Sequence, residues 1–214
     1  MPQLTLYHYV HCPYCVRVRM AMGFLGHHYT SVVLPYDDEA TPKRLTGVKM
    51  LPIMDIDGKA MNESLDIIYK LDVDQLLRFD DLNQSREHIE NLLEKIGSYV
   101  HNLAMPYWIY TPEFNEKSRQ YFESKKSAKR GPFKHLVWRR QEFEAPLQLL
   151  LKELELSLTP FYHSKHFGII DIMLAAHLWG LYIVPEFQFP ESIHNYLQTV
   201  KDLTKFNYHE DFWR

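Results

Sequence analysis

Every strand-forming run in this 214-residue chain lies before Leu71, and the pattern beyond it is helical. Leu4 to Tyr9 sets Leu4, Leu6 and Tyr7 among β-formers and runs into His11-Cys12-Pro13, as a strand does when it enters a helix through a proline in the first turn. Val16, Met20 and Phe24 then recur at helical spacing to Leu25, with Gly26 as the stop. Tyr29 to Leu34 is a second β-rich run, and Pro42 to Leu45 is a short helical piece ending near Gly47. Pro52 to Ile56 predicts a third strand, turned by Asp57-Gly58 into a fourth at Lys59 to Met61. Past Asn62-Glu63-Ser64, the positions Leu65, Ile68 and Tyr69 predict a helix. Residues 1–72 therefore read as an α/β unit of order β-α-β-α-β-β-α.

The Asp-rich stretch 73–83 reads as a linker, and 84–214 as an all-α unit. Leu92, Ile96, Tyr99, Val100 and Leu103 keep one apolar face until Pro106, which is expected to break that helix. Further helices are expected at 142–156, 169–184 and 191–203. The apolar run Ile169 to Val184 is interrupted by Asp171, His177 and Gly180, so it reads as a buried core helix and no membrane partner is expected. A net charge of −3 lacks the basic excess that sequence-independent nucleic-acid binding needs. The first residues show no basic segment ahead of an apolar one, so a cytoplasmic location is expected.

The chain has two cysteines, three positions apart, too few for a disulfide framework, so the pair reads as catalytic or metal-binding. At the N-cap of a helix, the Cys12 sulfur meets unpaired N–H groups and the positive end of the helix dipole, which stabilise a thiolate. Cys15, one turn on, is placed to attack a mixed disulfide on Cys12 and form a redox-active Cys12–Cys15 disulfide. Lowering a thiol from about 8.5 to about 5 raises the thiolate fraction roughly 30-fold, but a Brønsted slope near 0.45 cuts its nucleophilicity by about as much. The gain therefore falls on Cys12 as leaving group. His8, His11, Cys12 and Cys15 are also zinc-ligand types, but no second, well-separated ligand pair accompanies them and His11 diverges from Cys12, so no metal is expected. His27 and His28 read as solvated.

Cys12-Pro13-Tyr14-Cys15, Leu51-Pro52 ahead of a strand and Glu63-Ser64 opening a helix resemble the thioredoxin-fold domain of glutaredoxins and glutathione transferases. With its helical second unit the chain is similar to the bacterial glutaredoxins built on the transferase architecture, a likeness shared by Thr41-Pro42, Met61 to Ile67 and Tyr121 to Lys126. The resemblance implies a thioredoxin-like domain with a four-stranded mixed sheet, a transferase-like helical domain and a monomer. It implies a glutathione-dependent thiol-disulfide oxidoreductase, with glutathione as cosubstrate, no bound cofactor, and disulfide-containing or glutathionylated proteins as partners. A glutathione transferase or dehydroascorbate reductase on this architecture usually carries a lone Cys, Ser or Tyr, against which Cys15 argues. Cys12 argues against a non-enzymatic interaction module.

The resemblance further implies a cis peptide at Leu51-Pro52 whose backbone pairs with the cysteinyl part of glutathione, in a site shared with Tyr14. Ser64, as an N-cap hydroxyl, and its N–H suit the γ-glutamyl carboxylate, Glu63 the ammonium, and Lys49 the glycine carboxylate. Arg17 and Arg19 either add to the field at Cys12 or sit on a solvated helix face. Lys125, Lys126, Lys129, Arg130, Lys134, Arg139 and Arg140 alternate with Glu123 and Glu142 and read as an exposed helix face. Gly168-Ile-Ile-Asp171 stands where transferase-like proteins carry a Ser/Thr-x-x-Asp capping box, a departure expected to weaken that cap by a few tenths of a kcal/mol.

Overall fold

A computed structural model describes residues 2–207. Strand β1 (Leu4–His8) is followed by α1 (Pro13–Leu25), β2 (Thr30–Val33), α2 (Ala40–Thr46), β3 (Ile53–Ile56), β4 (Lys59–Met61) and α3 (Ser64–Leu71). The sheet has order β2-β1-β3-β4, with β1 parallel to β2 and antiparallel to β3, and β3 antiparallel to β4. Leu4, Leu6 and His8 alternate inward along β1, as a pleated strand requires. The mixed four-stranded sheet is the expected one.

The second unit comprises α4 (Phe79–Trp108), α5 (Glu116–Arg130), α6 (Phe133–Trp138), α7 (Arg140–Glu155), α8 (Ile169–Leu178), a 3₁₀ segment Trp179–Ile183 and α9 (Glu191–Thr204). Two expectations need correction here. Helix α4 begins inside the presumed linker 73–83, because Asp80 and Asp81 stand in its first turn, where carboxylates favour the positive helix end. Nor does Pro106 break α4; the helix runs on to Trp108. The turn before α4 is ordered by Asp72, whose carboxylate accepts from the N–H groups of Leu76 and Leu77 at 2.8 and 2.9 Å.

All ten residues of α8 are buried, and the helix packs between α1 and α4, so one apolar core runs through both units. This is why its sequence is apolar all round. As expected, Gly168 supplies no side-chain cap, and Asp171 organises this helix start. Asp171 accepts from the N–H of Gly168 and of Tyr162 and from the Tyr196 hydroxyl, each at 2.9 Å. Gly168 lets the turn before α4 approach, for a Cβ there would stand 3.3 Å from the Leu77 carbonyl oxygen, which accepts from Ile169 N–H at 2.7 Å. At Gly23 of α1 a Cβ would collide with the Thr204 carbonyl at the end of α9, so glycine permits that helix contact. Among the described residues, no helix is long and apolar enough to cross a membrane.

Candidate active site

Cys12 is the N-cap of α1 with extended backbone, φ −74° and ψ 121°, and Pro13 follows in the first turn. Its carbonyl accepts from Val16 N–H at 2.9 Å, so the helix starts at this cysteine. Cys12 is partly exposed and Cys15 is buried; both are free thiols. Tyr9 N–H points at the Cys15 sulfur at 3.4 Å. The Cys15 thiol donating to Cys12 is the largest influence on Cys12; against burial, it acts with His11 and the amides of Cys15 and Tyr14 to hold Cys12 down to about 6. Burial, followed by the loss of that donated proton, pushes Cys15 well above the usual thiol range. Two chemically identical side chains are thus pushed in opposite directions, Cys12 toward the thiolate and Cys15 toward the protonated thiol.

The Leu51-Pro52 peptide is cis, as the resemblance implied, and Leu51 packs with Cys15 and Ile53 against Cys12. Glu63 has φ 68° and ψ 105°, a conformation costly for a side chain with a Cβ. The N-cap of α3 is Glu63, not Ser64, and the Ser64 hydroxyl caps no helix. Instead it accepts from Arg17 Nη1 at 3.2 Å, with Ser64 only 5% and Arg17 only 4% exposed. Arg17 is therefore not on a solvated face. Its guanidinium lies 5.0 Å from the centre of the Tyr14 ring, and burial lowers it to about 10, leaving it cationic at neutral pH. Arg19 is half-buried over Phe206, 4.8 Å from that ring. The structure thus joins Tyr14, Arg17, Glu63 and Ser64 on one wall of a cleft of about 1230 Å³ between the units, facing His101 and His177. Burial first, then nearby cations, lower both histidines to about 3, so they are neutral.

Lys49 stands elsewhere: its ammonium donates to the Tyr36 carbonyl at 3.0 Å and the Tyr121 hydroxyl at 3.2 Å, and lies 3.7 Å from Glu39. The basic cluster also divides. Lys125, Lys129, Lys134 and Arg139 are exposed, but Arg130 is half-buried and donates to Asn102 Oδ1 at 2.7 Å, and Arg140 is half-buried against Glu144. His27 is half-buried and bonds the Leu71 carbonyl at 3.0 Å, so it is not solvated. His8 turns to Ser31 Oγ at 2.7 Å, and burial lowers it to about 4. Among the described residues, no three metal-ligating side chains gather. Sequence reasoning missed Glu113, which reaches His11 from the loop between α4 and α5; no spacing or periodicity marks it.

A sheet of order β2-β1-β3-β4 with a Cys-x-x-Cys pair at the start of α1, packed on a helical unit, is a thioredoxin-like domain on the glutathione transferase architecture. The Glutathione S-transferase, N-terminal domain family matches residues 6–75, and the Glutaredoxin 2, C terminal domain family matches residues 88–212. Glutaredoxin 2 of Escherichia coli strain K12 is 31% identical over 212 residues, covering 95% of this chain and 97% of that protein. Glutaredoxin 2 of Salmonella typhimurium, solved in complex with glutathione, superposes with a TM-score of 0.87 at 30% identity over 99% of both chains. A glutathione transferase of Phanerochaete chrysosporium shares the fold alone, with a TM-score of 0.79 at 12% identity over 94% of this chain and 97% of that one. This chain belongs to the glutaredoxin 2 family.

Proposed function

We propose that the protein is a glutathione-dependent thiol-disulfide oxidoreductase that reduces glutathione mixed disulfides and protein disulfides through Cys12 and Cys15. The observation that carries this reading is the split pair: a partly exposed Cys12 at a helix start held down to about 6, beside a buried, protonated Cys15. At pH 7 such a thiol is about nine-tenths thiolate. The thiolate attacks the glutathione sulfur of a mixed disulfide, the partner's sulfur leaves and takes up a proton, and Cys12 is left bonded to glutathione. A glutathione thiolate then attacks that glutathione sulfur, releasing glutathione disulfide and the Cys12 thiolate. With a protein disulfide, the Cys12 thiolate attacks one sulfur and the other leaves and takes up a proton; Cys15 then loses its proton and attacks the Cys12 sulfur of this mixed disulfide, expelling the second sulfur of the reduced protein. Two glutathione molecules reduce the resulting Cys12–Cys15 disulfide.

In this reading glutathione lies as an added strand along the Leu51-Pro52 backbone. Its γ-glutamyl carboxylate rests on Ser64 and the N-terminus of α3, its ammonium on Glu63, and Tyr14 forms a wall. Arg17 supports the carboxylate through its bond to Ser64. Lys49 reaches the glycine carboxylate only by giving up Tyr36 and Tyr121. The bound glutathione of the Salmonella relative supports glutathione as the ligand. The protein works as a monomer in the cytoplasm, where thiols stay reduced.

One assay separates this reading from a transferase: turnover of a glutathionylated substrate with glutathione, glutathione reductase and NADPH, beside conjugation of glutathione to 1-chloro-2,4-dinitrobenzene. Reductase turnover with negligible conjugation is expected; the reverse result overturns the reading. Thiolate absorbance near 240 nm should titrate with a first midpoint near 6, and a midpoint at or above 8 contradicts the helix-start argument. Ser64→Ala should raise the KM for glutathione more than it lowers kcat, because a contact remote from the reacting sulfur binds ground and transition states alike. A hydrogen bond to a charged group is worth about 1.5–3 kcal/mol, or roughly a 10- to 150-fold weakening, less what the backbone N–H retains. Unchanged glutathione affinity would leave Ser64 as nothing more than a partner for Arg17.

A further inference from the structure

We propose that Glu113, supplied by the helical unit, is a positioning residue that holds His11 as an imidazolium beside Cys12, so that the second unit sets the charge at the nucleophile of the first. The inference rests on Cys12 being the nucleophile of the proposed function.

The geometry is that of a clamp. A single oxygen, Glu113 Oε1, accepts from the His11 main-chain N–H at 3.0 Å and from His11 Nδ1 at 2.5 Å. Two donors from one residue on one atom fix both the turn that carries Cys12 and the orientation of the imidazole. The Glu113 carbonyl accepts from Tyr36 N–H at 3.0 Å, so the loop bearing Glu113 is docked on the first unit by main chain as well. His11 is 6% and Glu113 2% exposed. The imidazole sits in a box of rings formed by Tyr9, Tyr36, Trp108, Phe114 and Phe122, with centroids at 5.2–5.7 Å. A carboxylate taken out of water this far needs a compensating charge, and its second oxygen has no hydrogen-bond partner.

The surroundings leave His11 as the group that supplies it. On β1, His8 is neutral and bonded to Ser31. On α1, Cys12 and Cys15 bring no cation, and Arg17 is committed to Ser64 and Tyr14. Tyr9 and, after β2, Tyr36 are pushed by burial to stay un-ionised. Lys49 ahead of β3 is bonded to Tyr36 and Tyr121, Lys126 on α5 lies over the Phe122 ring, and His101 on α4 is neutral. Burial pushes Glu113 up, but its contacts with His11 outweigh that and hold it below the usual carboxylate range. The pair as a whole is neutral, yet its positive end is the residue adjoining Cys12, where it favours the thiolate.

The sign of one measurement decides. In Glu113→Gln the carboxylate that holds the proton on His11 is gone, so the first thiolate midpoint near 240 nm should move up by about one pH unit, a tenfold change in acidity. If His11 were neutral, removing a nearby negative charge would move it down. An unchanged or lowered midpoint overturns the proposal. In the unaltered protein, 15N spectra should show both His11 ring nitrogens protonated at pH 7, and a single protonated nitrogen also overturns it. Should the single variant not fold, the apolar pair His11→Phe with Glu113→Met replaces both charges together, and the same upward shift is expected; no shift counts against the proposal. Because the titration reads charge without turnover, an upward shift in a protein lacking reductase activity overturns the proposed function and leaves the clamp standing.

Discussion

Cys12→Ser is expected to reduce reductase turnover to the uncatalysed rate on every disulfide tested, while Cys15→Ser retains part of the activity on glutathione mixed disulfides. A serine hydroxyl is not ionised at neutral pH, so neither the attack nor the low-pKa leaving group survives at position 12. Cys15 has two separable duties. As a nucleophile it is needed only to resolve protein disulfides, so its loss there is severe. As a proton donor it is the largest influence holding Cys12 down, a duty that a serine hydroxyl at position 15 continues and an alanine does not. Activity on the mixed disulfide should therefore fall in the order wild type, Cys15→Ser, Cys15→Ala, with the thiolate midpoint rising in the same order. Equal and complete loss in both Cys12→Ser and Cys15→Ser would reject the division of labour.

Asp171→Ala should destabilise the protein by about 3 kcal/mol, since truncation leaves three donors around the start of α8 without their acceptor. The full sum of three charged bonds is not expected, because burial already pushes the Asp171 carboxyl above its usual range and so opposes the charged form. At about 2–4 °C per kcal/mol for a chain of this size, thermal unfolding should come roughly 6–12 °C earlier. None of these Asp171 hydrogen bonds involves Cys12 or Cys15, so kcat well below the transition should change little. A shift of less than 2 °C would show that Tyr162, Tyr196 and Gly168 find other partners and that the cap is replaceable.

The sequence by itself determined whatever depends on neighbours a few positions apart. A strand entering a helix through Cys12-Pro13, the order of elements to Leu71 and the all-round apolar character of α8 follow from backbone periodicity and from residues that start or stop a helix. Even the lowering of the Cys12 thiol follows in part from its place at a helix start, where the amides of Tyr14 and Cys15 face it. Local signals misled where composition outvoted position, as with Asp80 and Asp81, which read as linker yet serve as the first turn of α4.

Only the tertiary structure decided which polar groups are buried and what they meet there. Arg17 and Arg19 look equivalent along the chain, yet α1 turns the first into the cleft toward Ser64, 47 positions away, and the second toward Phe206. Glu113 is an unremarkable loop residue until folding carries it 102 positions back to His11. Lys49 looks free until Tyr36 and Tyr121 take its ammonium. The physical reason is common to all three: hydrophobic burial is non-directional and can be read from periodicity, whereas hydrogen bonds and ion pairs need specific partners at about 3 Å, and the packing of the two units chooses them.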